Sequence, residues 1–214
     1  MTPAVAGMRG PEIPGFRWVR PLGQGGFADV FLYRQELPSR EVAIKVVRTQ
    51  GDERGTKELH READAMTLLA GHPAVVELHG VGTTADGRAY LVMEYCPVAD
   101  LLTQVRARPM ALEKALDTMI KVCGGVEMFH RLGYVHRDIK PSNIMLDAYG
   151  KPVLADFGVA SKVGQLEVGA FDGFSVLWAP PEQQDVNSPA SPLQDVWALA
   201  ATTWTFVTGR SPFE

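Results

Sequence analysis

This chain of 214 residues has few cysteines, little net charge and no long apolar run. Its two cysteines, Cys96 and Cys123, are too few for a disulfide framework and show no metal-ligand spacing, so a reducing, cytoplasmic location is expected. The formal net charge of -4 argues against a general nucleic-acid binder. No apolar run is long enough to span a bilayer. The Pro-, Gly- and Ala-rich start, residues 1–15, lacks a signal-peptide pattern and is expected to be a flexible tail.

Apolar residues are plentiful after this start, and their spacing changes along the chain. They make up 46% of the sequence, an ordinary value for a globular protein with a core. Runs typical of strands occur at 30–33, 42–47, 75–82 and 89–95. A helical period, closed by a glycine, covers 57–70. The first half of the chain is therefore predicted to be strand-rich with one helix.

The second half is predicted to be helix-rich. A long helix is expected over 111–132 and a very apolar one over 194–208, with short strands around 144–146 and 153–154. The 194–208 segment carries apolar side chains around much of its circumference, which is typical of a buried helix.

A glycine-rich turn, Leu22-Gly23-Gln24-Gly25-Gly26, precedes the first clear strand. Glycines allow backbone amides to approach phosphate groups because no Cβ stands in the way. The pattern is incomplete, since Ala28 lies where a third glycine of the usual motif would be. By itself the turn is equally compatible with a plain β-turn, but Lys45 follows it in a predicted strand.

Two further segments carry polar side chains that suit phosphoryl chemistry: His136-Arg137-Asp138-Ile139-Lys140-Pro141-Ser142-Asn143 and Asp156-Phe157-Gly158. They place a candidate base (Asp138), a cationic helper (Lys140) and two candidate metal ligands (Asn143 and Asp156) on neighbouring loops. Oxygen ligands of this kind are those that Mg²⁺ prefers. Asp and Asn are also common turn formers, so it is the combination at fixed offsets that favours a functional site.

Together with Val42-Ala43-Ile44-Lys45, these motifs resemble a eukaryotic-like, bacterial-type Ser/Thr protein kinase, and the resemblance covers residues 16–214. It implies an α+β, bilobal fold with ATP bound between the lobes. The N-lobe (16–95) would be an antiparallel sheet plus one helix, and the C-lobe (96–214) would be helical. Family members continue with further helices after the segment at 194–208. We therefore expect a C-terminally truncated lobe in which one side of this helix is exposed, and lower stability than in a longer version.

The resemblance implies a role for each residue of the polar segments. Asp138 is expected to be the catalytic base, and Lys140 to neutralise charge on the phosphoryl group in transfer. Asn143 and Asp156 are expected to hold Mg²⁺.

The implied ATP site centres on Lys45, which would contact the α- and β-phosphates and needs a carboxylate partner. Glu62 fits the family pattern, and Glu58, one helical turn earlier, is a rival. Met93 would be the gatekeeper behind the adenine ring. The remaining ATP-binding residues are expected to be Leu22, Gly23, Gln24, Gly25, Gly26, Val30, Ala43, Glu94, Cys96 and Met145, and the regulatory spine to be Met66, Leu78, His136 and Phe157.

The activation segment, 156–182, departs from the family pattern. Between Asp156 and Ser175, near the end of the segment, only Ser161 has a hydroxyl group. The usual phosphorylated threonine is therefore missing. We expect Glu167 or Asp172 to pair with Arg137 in place of a phosphate. The alternative is that both acids are solvated loop residues.

The resulting hypothesis is an ATP- and Mg²⁺-dependent Ser/Thr protein kinase that transfers the γ-phosphoryl group to protein hydroxyls. Every polar side chain named by that mechanism is present. The main alternative is a truncated, catalytically weak nucleotide-binding or scaffold module, and a small-molecule kinase of related fold is a third candidate. The predicted partner is a protein substrate, with no nucleic acid and no membrane segment in this chain.

Overall fold

The computed structural model describes residues 8–98, 101–166, 176–185 and 187–213. Its first half is a five-stranded antiparallel sheet in the order β1-β2-β3-β5-β4, with the helix α1 (Glu53–Leu68) inserted between β3 and β4. The strands are β1 (Phe16–Gln24), β2 (Ala28–Gln35), β3 (Arg40–Val47), β4 (Leu78–Thr83) and β5 (Ala89–Glu94). The predicted sheet with one helix is confirmed.

Alternating side chains give this sheet two different faces. On the outer face, Phe31 and Val46 are buried in a cluster with Ile13, which precedes β1. On the inner face, Val47 packs against Leu59 of α1. A side chain on β2 or β3 can therefore be assigned to the outer face or to the α1 side by its position in the strand.

Among the element boundaries that differ from the prediction, the starts of α1 and β4 differ for identifiable reasons. α1 begins at Glu53 rather than at residue 57, because the Asp52 side chain caps it by accepting a hydrogen bond from the Gly55 N–H at 2.8 Å. β4 begins at Leu78 rather than at residue 75. The residues before it bind the second half of the chain instead: the Val76 N–H donates to the Leu154 carbonyl at 3.0 Å.

In its described residues, the second half contains three α-helices and two short two-stranded sheets. The helices are α2 (Leu101–Ala107), α3 (Leu112–Arg131) and α4 (Pro192–Thr208). The strand pairs are β6 (Tyr134–Val135) with β9 (Ser161–Lys162), and β7 (Ile144–Leu146) with β8 (Pro152–Leu154). α2 was not predicted, because a helix of about two turns gives too short a periodic signal. The core of this half includes Phe129 and Phe206, and it extends to Met66 of α1.

α4 buries its polar residues and exposes several of its apolar ones. Gln194, Asp195, Thr202 and Thr205 are buried, whereas Leu193, Val196, Trp197 and Trp204 are between 42% and 70% exposed. The helix begins with a capping box formed by Ser191 and Gln194. Among the helices in the described part of the chain, none has the length and apolar character needed to cross a membrane.

The segment ahead of β1 is packed in its described part, residues 8–15, which corrects the expectation of a flexible tail up to Gly15. Ile13 is only 4% exposed. The Tyr33 hydroxyl donates to the Pro11 carbonyl at 2.7 Å. Gly10 is also buried, and the Glu36 N–H donates to the Gly15 carbonyl at 2.9 Å. Sequence composition suggested flexibility, but these contacts attach the segment to the sheet.

Candidate active site

Lys45, in the central strand β3, is buried and binds two carboxylates. Its Nζ donates to Glu62 Oε2 and Oε1 at 2.7 and 2.9 Å, and to Asp156 Oδ1 at 3.1 Å. Glu62 lies on the buried face of α1 and is 1% exposed. The rival carboxylate, Glu58, instead pairs with Arg54 at 2.9 Å. One ammonium group thus joins β3, α1 and the loop after β8.

Lys45 and the two carboxylates shift one another's pKa values, and burial raises the pKa of Glu62 although Lys45 opposes that rise. Burial alone would lower the pKa of Lys45, but the carboxylates of Asp156 and Glu62 raise that pKa above its ordinary value. Lys45 in turn lowers the pKa of the Asp156 carboxyl, against the effect of burial. The Asp156 side chain is 45% exposed, so the cluster is accessible from one side. An anion that enters there would meet an ammonium group already fixed in position.

Asp138, Lys140 and Asn143 form a second polar cluster, on the loop between β6 and β7. Lys140 Nζ donates to Asp138 Oδ2 at 2.6 Å. Asn143 Nδ2 donates to the same oxygen at 3.0 Å and to the Asp138 carbonyl at 2.8 Å. Burial raises the pKa of Asp138, while Lys140 opposes that rise. A buried carboxylate with a raised pKa is suited to accept a proton from a reacting hydroxyl.

The two polar clusters are adjacent. The Ala155 N–H, next to Asp156, donates to the Asn143 carbonyl at 2.9 Å. The charge of Asp156 also contributes to the raised pKa of Asp138, after burial. Asp156 itself has a φ of 63°, a left-handed conformation that is uncommon outside glycine. The structure therefore brings together six polar residues that sequence analysis singled out on separate segments: Lys45, Glu62, Asp138, Lys140, Asn143 and Asp156.

Two residues that sequence reasoning missed fix the backbone of the Asp138 loop. Asp195, buried in α4, accepts from the N–H groups of His136 and Arg137 at 2.8 Å each, and lies 2.7 Å from His130 Nε2. Gln183 Nε2 donates to the Arg137 carbonyl at 2.7 Å. A carboxylate inside a very apolar segment was an available signal for Asp195, whereas no feature of the sequence marks Gln183.

The glycine-rich turn connects β1 to β2. A Cβ on Gly25 would lie 2.9 Å from the Ala28 carbonyl oxygen, which also accepts from the Gly25 N–H at 2.8 Å. Gly26 has open space beside it, with no atom within 4 Å of an added Cβ. The Phe27 ring lies 5.3 Å from Lys45 Nζ, so the turn reaches over the Lys45 cluster. Ala28 begins β2 without a left-handed φ, so its backbone does not require glycine there.

The apolar positions predicted for the adenine ring come from both halves of the chain. Ala43 is paired with Met93 across β3 and β5. Met93 and Met145 both pack against the core cluster that contains Cys96. Burial raises the pKa of the Cys96 thiol to about 12, so the thiol is uncharged. Of the other predicted positions, Leu22, Val30 and Glu94 are half-buried, and Gly23, Gln24, Gly25 and Gly26 are exposed.

Comparison with known proteins assigns these features to one family, since residues 16–214 match the protein kinase domain. The chain belongs to the protein kinase family. It is 38% identical over 213 residues to Serine/threonine-protein kinase PknK of Mycobacterium bovis and of Mycobacterium tuberculosis, covering 95% of this chain and 19% of those proteins. It is 32% identical over 211 residues to Serine/threonine-protein kinase PrkC of Bacillus subtilis, covering 96% of this chain and 32% of that protein. The kinase domain thus spans about a fifth to a third of these relatives, and the resemblance to bacterial Ser/Thr kinases is confirmed.

The start of the activation segment of this kinase domain is held by Arg137. Its Nη1 donates to Ser161 Oγ at 3.0 Å, where β9 pairs with β6. Glu167 and Asp172, the predicted partners of Arg137, lie outside the described residues. The segment ends with Pro180-Pro181-Glu182, which resembles the Ala-Pro-Glu motif of the family with Pro180 in place of alanine. Pro180 precedes a short 3₁₀ helix, Pro181–Gln184.

The four residues predicted for the regulatory spine of the kinase lie in or against the core. Met66 and Phe157 belong to one buried cluster, and Leu78 packs against it. The His136 ring lies 4.8 Å from that of Phe157. Burial lowers the pKa of His136, and its Nδ1 accepts from the Asp138 N–H at 3.3 Å. A neutral, packed imidazole of this kind supports the loop and is not placed to catalyse.

The side chains of the site fit a nucleotide and Mg²⁺. Within the described residues, the side-chain hydrogen bonds of Asn143 use Nδ2, which leaves its carbonyl Oδ1 as a ligand, and the Asp156 carboxylate is half exposed. Mg²⁺ is usually held by one or two protein oxygens together with substrate phosphates and water. The described residues contain no group of three or more His, Cys, Asp or Glu side chains that could hold a metal ion.

Proposed function

We propose that this kinase domain transfers the γ-phosphoryl group of Mg²⁺–ATP to Ser or Thr hydroxyls of a protein substrate. The observation that carries the proposal is the cluster of Asp138, Lys140 and Asn143 beside the Lys45–Asp156 pair. Membership of the protein kinase family and the names of the relatives support the same reaction class.

Asp138 acts as the base in the proposed reaction. It accepts the proton of the substrate hydroxyl as the hydroxyl oxygen attacks the γ-phosphorus. The bond between the γ-phosphorus and the bridging oxygen breaks, and its electron pair leaves with ADP. Lys140, whose Nζ is 2.6 Å from the Asp138 carboxylate, offsets the negative charge of the phosphoryl group in transfer.

The remaining polar residues position the nucleotide. Lys45 binds the α- and β-phosphates, and Glu62 keeps its ammonium group oriented. Asn143 and Asp156 would hold Mg²⁺, which would supply positive charge to offset that of the phosphates. The nucleotide would lie between an N-lobe (16–95), which provides Lys45, and a C-lobe (96–214), which provides Asp156. A cytoplasmic location fits this reaction, since neither cysteine is in a disulfide.

The experiment that tests this function measures transfer of labelled phosphate from Mg²⁺–ATP to a generic protein substrate. Asp138→Asn is expected to lower the rate by about 10²- to 10⁴-fold, because the base is lost. Asp117→Asn is the matched control, since Asp117 is a surface carboxylate that pairs with Lys121. ADP binding, measured separately by calorimetry, should be retained in both variants.

Each outcome discriminates between the candidate functions. Transfer that only Asp138→Asn abolishes would support the kinase reaction with Asp138 as base. Equal transfer by both variants would exclude Asp138 as the base. Nucleotide binding without transfer by the wild-type chain would favour the nucleotide-binding module, and absence of both would contradict the proposed function.

A further inference from the structure

An ion pair between a buried carboxylate, Asp29, and a partly exposed guanidinium, Arg48, lies behind the glycine-rich turn. Asp29, the second residue of β2, is 6% exposed, and its carboxylate oxygens accept from Arg48 Nη2 at 2.9 Å and Nε at 3.3 Å. The same guanidinium donates to the Gly25 carbonyl through Nη2 and to the Gly26 carbonyl through Nη1 at 3.4 Å. The Arg48 backbone N–H adds a bond to the Phe27 carbonyl at 2.9 Å. Arg48 thus connects β2, the end of β3 and the turn between β1 and β2.

The pair lies on the outer face of the sheet, opposite Lys45. Asp29 is directly paired with Val46, which is buried in the outer-face cluster. Lys45 faces the other way, where it binds Glu62 of α1. Because successive side chains in a strand alternate between faces, Asp29 and Arg48 contact the turn from the side away from the proposed nucleotide.

The bonds to Arg48 determine where the amides of the turn point. In a trans peptide the carbonyl and the following N–H point in opposite directions. Two carbonyls that point outward, on Gly25 and Gly26, therefore direct the N–H groups of Gly26 and Phe27 toward the inner face, where the Phe27 ring lies over Lys45. Neither N–H donates to any group in the described part of the chain. Successive amides on one side of a turn form an anion-binding concavity.

We propose that Asp29 and Arg48 are positioning residues that hold the glycine-rich turn with its amides directed toward the nucleotide phosphates. Asp29 anchors the guanidinium, and the guanidinium holds the carbonyls. The inference rests on the proposed function, because it concerns how the same ATP site is organised. Arginine suits this role, since its planar fork can bind a carboxylate and carbonyls simultaneously, which a lysine ammonium group cannot do in the same geometry.

The test compares the affinity for Mg²⁺–ADP with the affinity for adenosine, which lacks phosphates, by calorimetry. Arg48→Met is expected to weaken Mg²⁺–ADP binding about tenfold while adenosine binding is unchanged. Arg48→Lys, which keeps the charge and is less disruptive to folding, should weaken Mg²⁺–ADP binding in the same direction. Arg34→Met is the matched control: Arg34 pairs with Glu41 across the same two strands, at 3.6 Å and on the surface, away from the turn.

If Asp29 acts through Arg48, substitution of Asp29 should also change the affinity for Mg²⁺–ADP. Asp29→Asn is expected to weaken Mg²⁺–ADP binding, and the double variant with Arg48→Met should be no weaker than Arg48→Met alone. If ADP and adenosine affinities fall in the same proportion, or neither falls in Arg48→Met and Arg48→Lys, the positioning role is overturned. A wild-type chain that does not bind Mg²⁺–ADP would overturn the proposed function itself, so the two failures are distinguishable.

Discussion

Arg137 shows how single residues fix the backbone of the Asp138 loop. Its backbone φ of 69° is a left-handed conformation, which for a non-glycine residue costs about 1–3 kcal/mol. The conformation is held from both sides, because the Arg137 N–H donates to Asp195 and its carbonyl accepts from Gln183. Asp138 follows directly, so these two buried side chains set the direction from which the proposed base is presented.

The local charge around Asp138 predicts a pH dependence. Burial raises the pKa of Asp138 and Lys140 opposes that rise, so loss of Lys140 must raise the Asp138 pKa further. Asp138 accepts a proton only when ionised, so activity falls as pH falls through its pKa. In Lys140→Met the acidic limb of the kcat/KM profile should therefore move to higher pH, and kcat should drop on the order of 10²-fold.

The matched control for this experiment is Lys151→Met, since Lys151 is exposed and lies beyond the Asp138 loop. Its pH profile should match that of the wild type. If the acidic limb of Lys140→Met lies at the same pH as that of the wild type, a group other than Asp138 is responsible for the limb.

Sequence reasoning at this scale predicted the residues whose type and spacing suggest chemistry, and their roles stay predictions. Lys45, Asp138, Asn143 and Asp156 could be singled out because their spacing is fixed by the reaction that they suit. Asp29, Arg48 and Gln183 could not, because their contacts depend on which strand face and which turn bring them together. An aspartate and an arginine nineteen positions apart become partners only once β2 and β3 are paired in register.

Among the elements, α4 organises the second half through its buried polar side. Asp195 binds the backbone of the Asp138 loop, and Thr202 Oγ1 donates to the Ile139 carbonyl at 3.4 Å. Thr205 Oγ1 accepts a hydrogen bond from Trp178 Nε1 at 3.0 Å, which connects α4 to the end of the activation segment. The same helix therefore supports both the proposed base and the segment beyond it.

The contact between α4 and Trp178 can be tested by substitution. Thr205→Val is expected to reduce the free energy of unfolding by about 1–3 kcal/mol, because the buried Trp178 Nε1–H loses its acceptor. Thr203→Val is the matched control: both threonines donate to a carbonyl one turn back, at 2.9 Å for Thr205 and 2.7 Å for Thr203. Urea unfolding of both variants measures the difference, and equal losses would show that the Trp178 bond contributes nothing to stability.

The elements themselves were predicted wherever they are long and periodic, as in α1, α3 and the strands of the sheet. The errors occurred where tertiary contacts overrode local pattern. Residues 75–77 read as the start of a strand, but Val75 forms a bridge with Leu154 of the second half. One side of α4 was expected to be exposed, and Trp197 and Trp204 are exposed. Local pattern did not reveal that the buried side also carries polar residues, which bind the Asp138 loop.

At the scale of the whole molecule, Lys45 forms an ion pair that connects the two halves. It lies in the sheet, binds Glu62 of α1, and reaches Asp156 of the second half at 3.1 Å. A nucleotide bound to Lys45 and to a metal ion on Asp156 would therefore contact both halves. A ligand that binds the folded chain but not the unfolded chain stabilises the fold by mass action. The gain is about 2.7 kcal/mol when the free ligand concentration is one hundred times Kd.

This linkage predicts a ligand-dependent Tm that requires Lys45. Saturating Mg²⁺–ADP should raise the Tm of the wild type by roughly 5–10 °C, since a chain of this size gains about 2–4 °C per kcal/mol. Lys45→Met should lose most of this shift at the same ligand concentration, whereas Lys57→Met, on the exposed side of α1, should keep it. Scanning calorimetry with and without ligand measures both.

The quantity to compare is the shift and not the Tm of the free variant. Lys45→Met leaves the Glu62 carboxylate buried without its partner, which by itself destabilises a fold by about 3–5 kcal/mol. The free variant is therefore expected to melt at a lower temperature for a reason unrelated to the nucleotide. An undiminished shift in Lys45→Met would mean that the nucleotide does not bind at the ammonium group that joins the two halves.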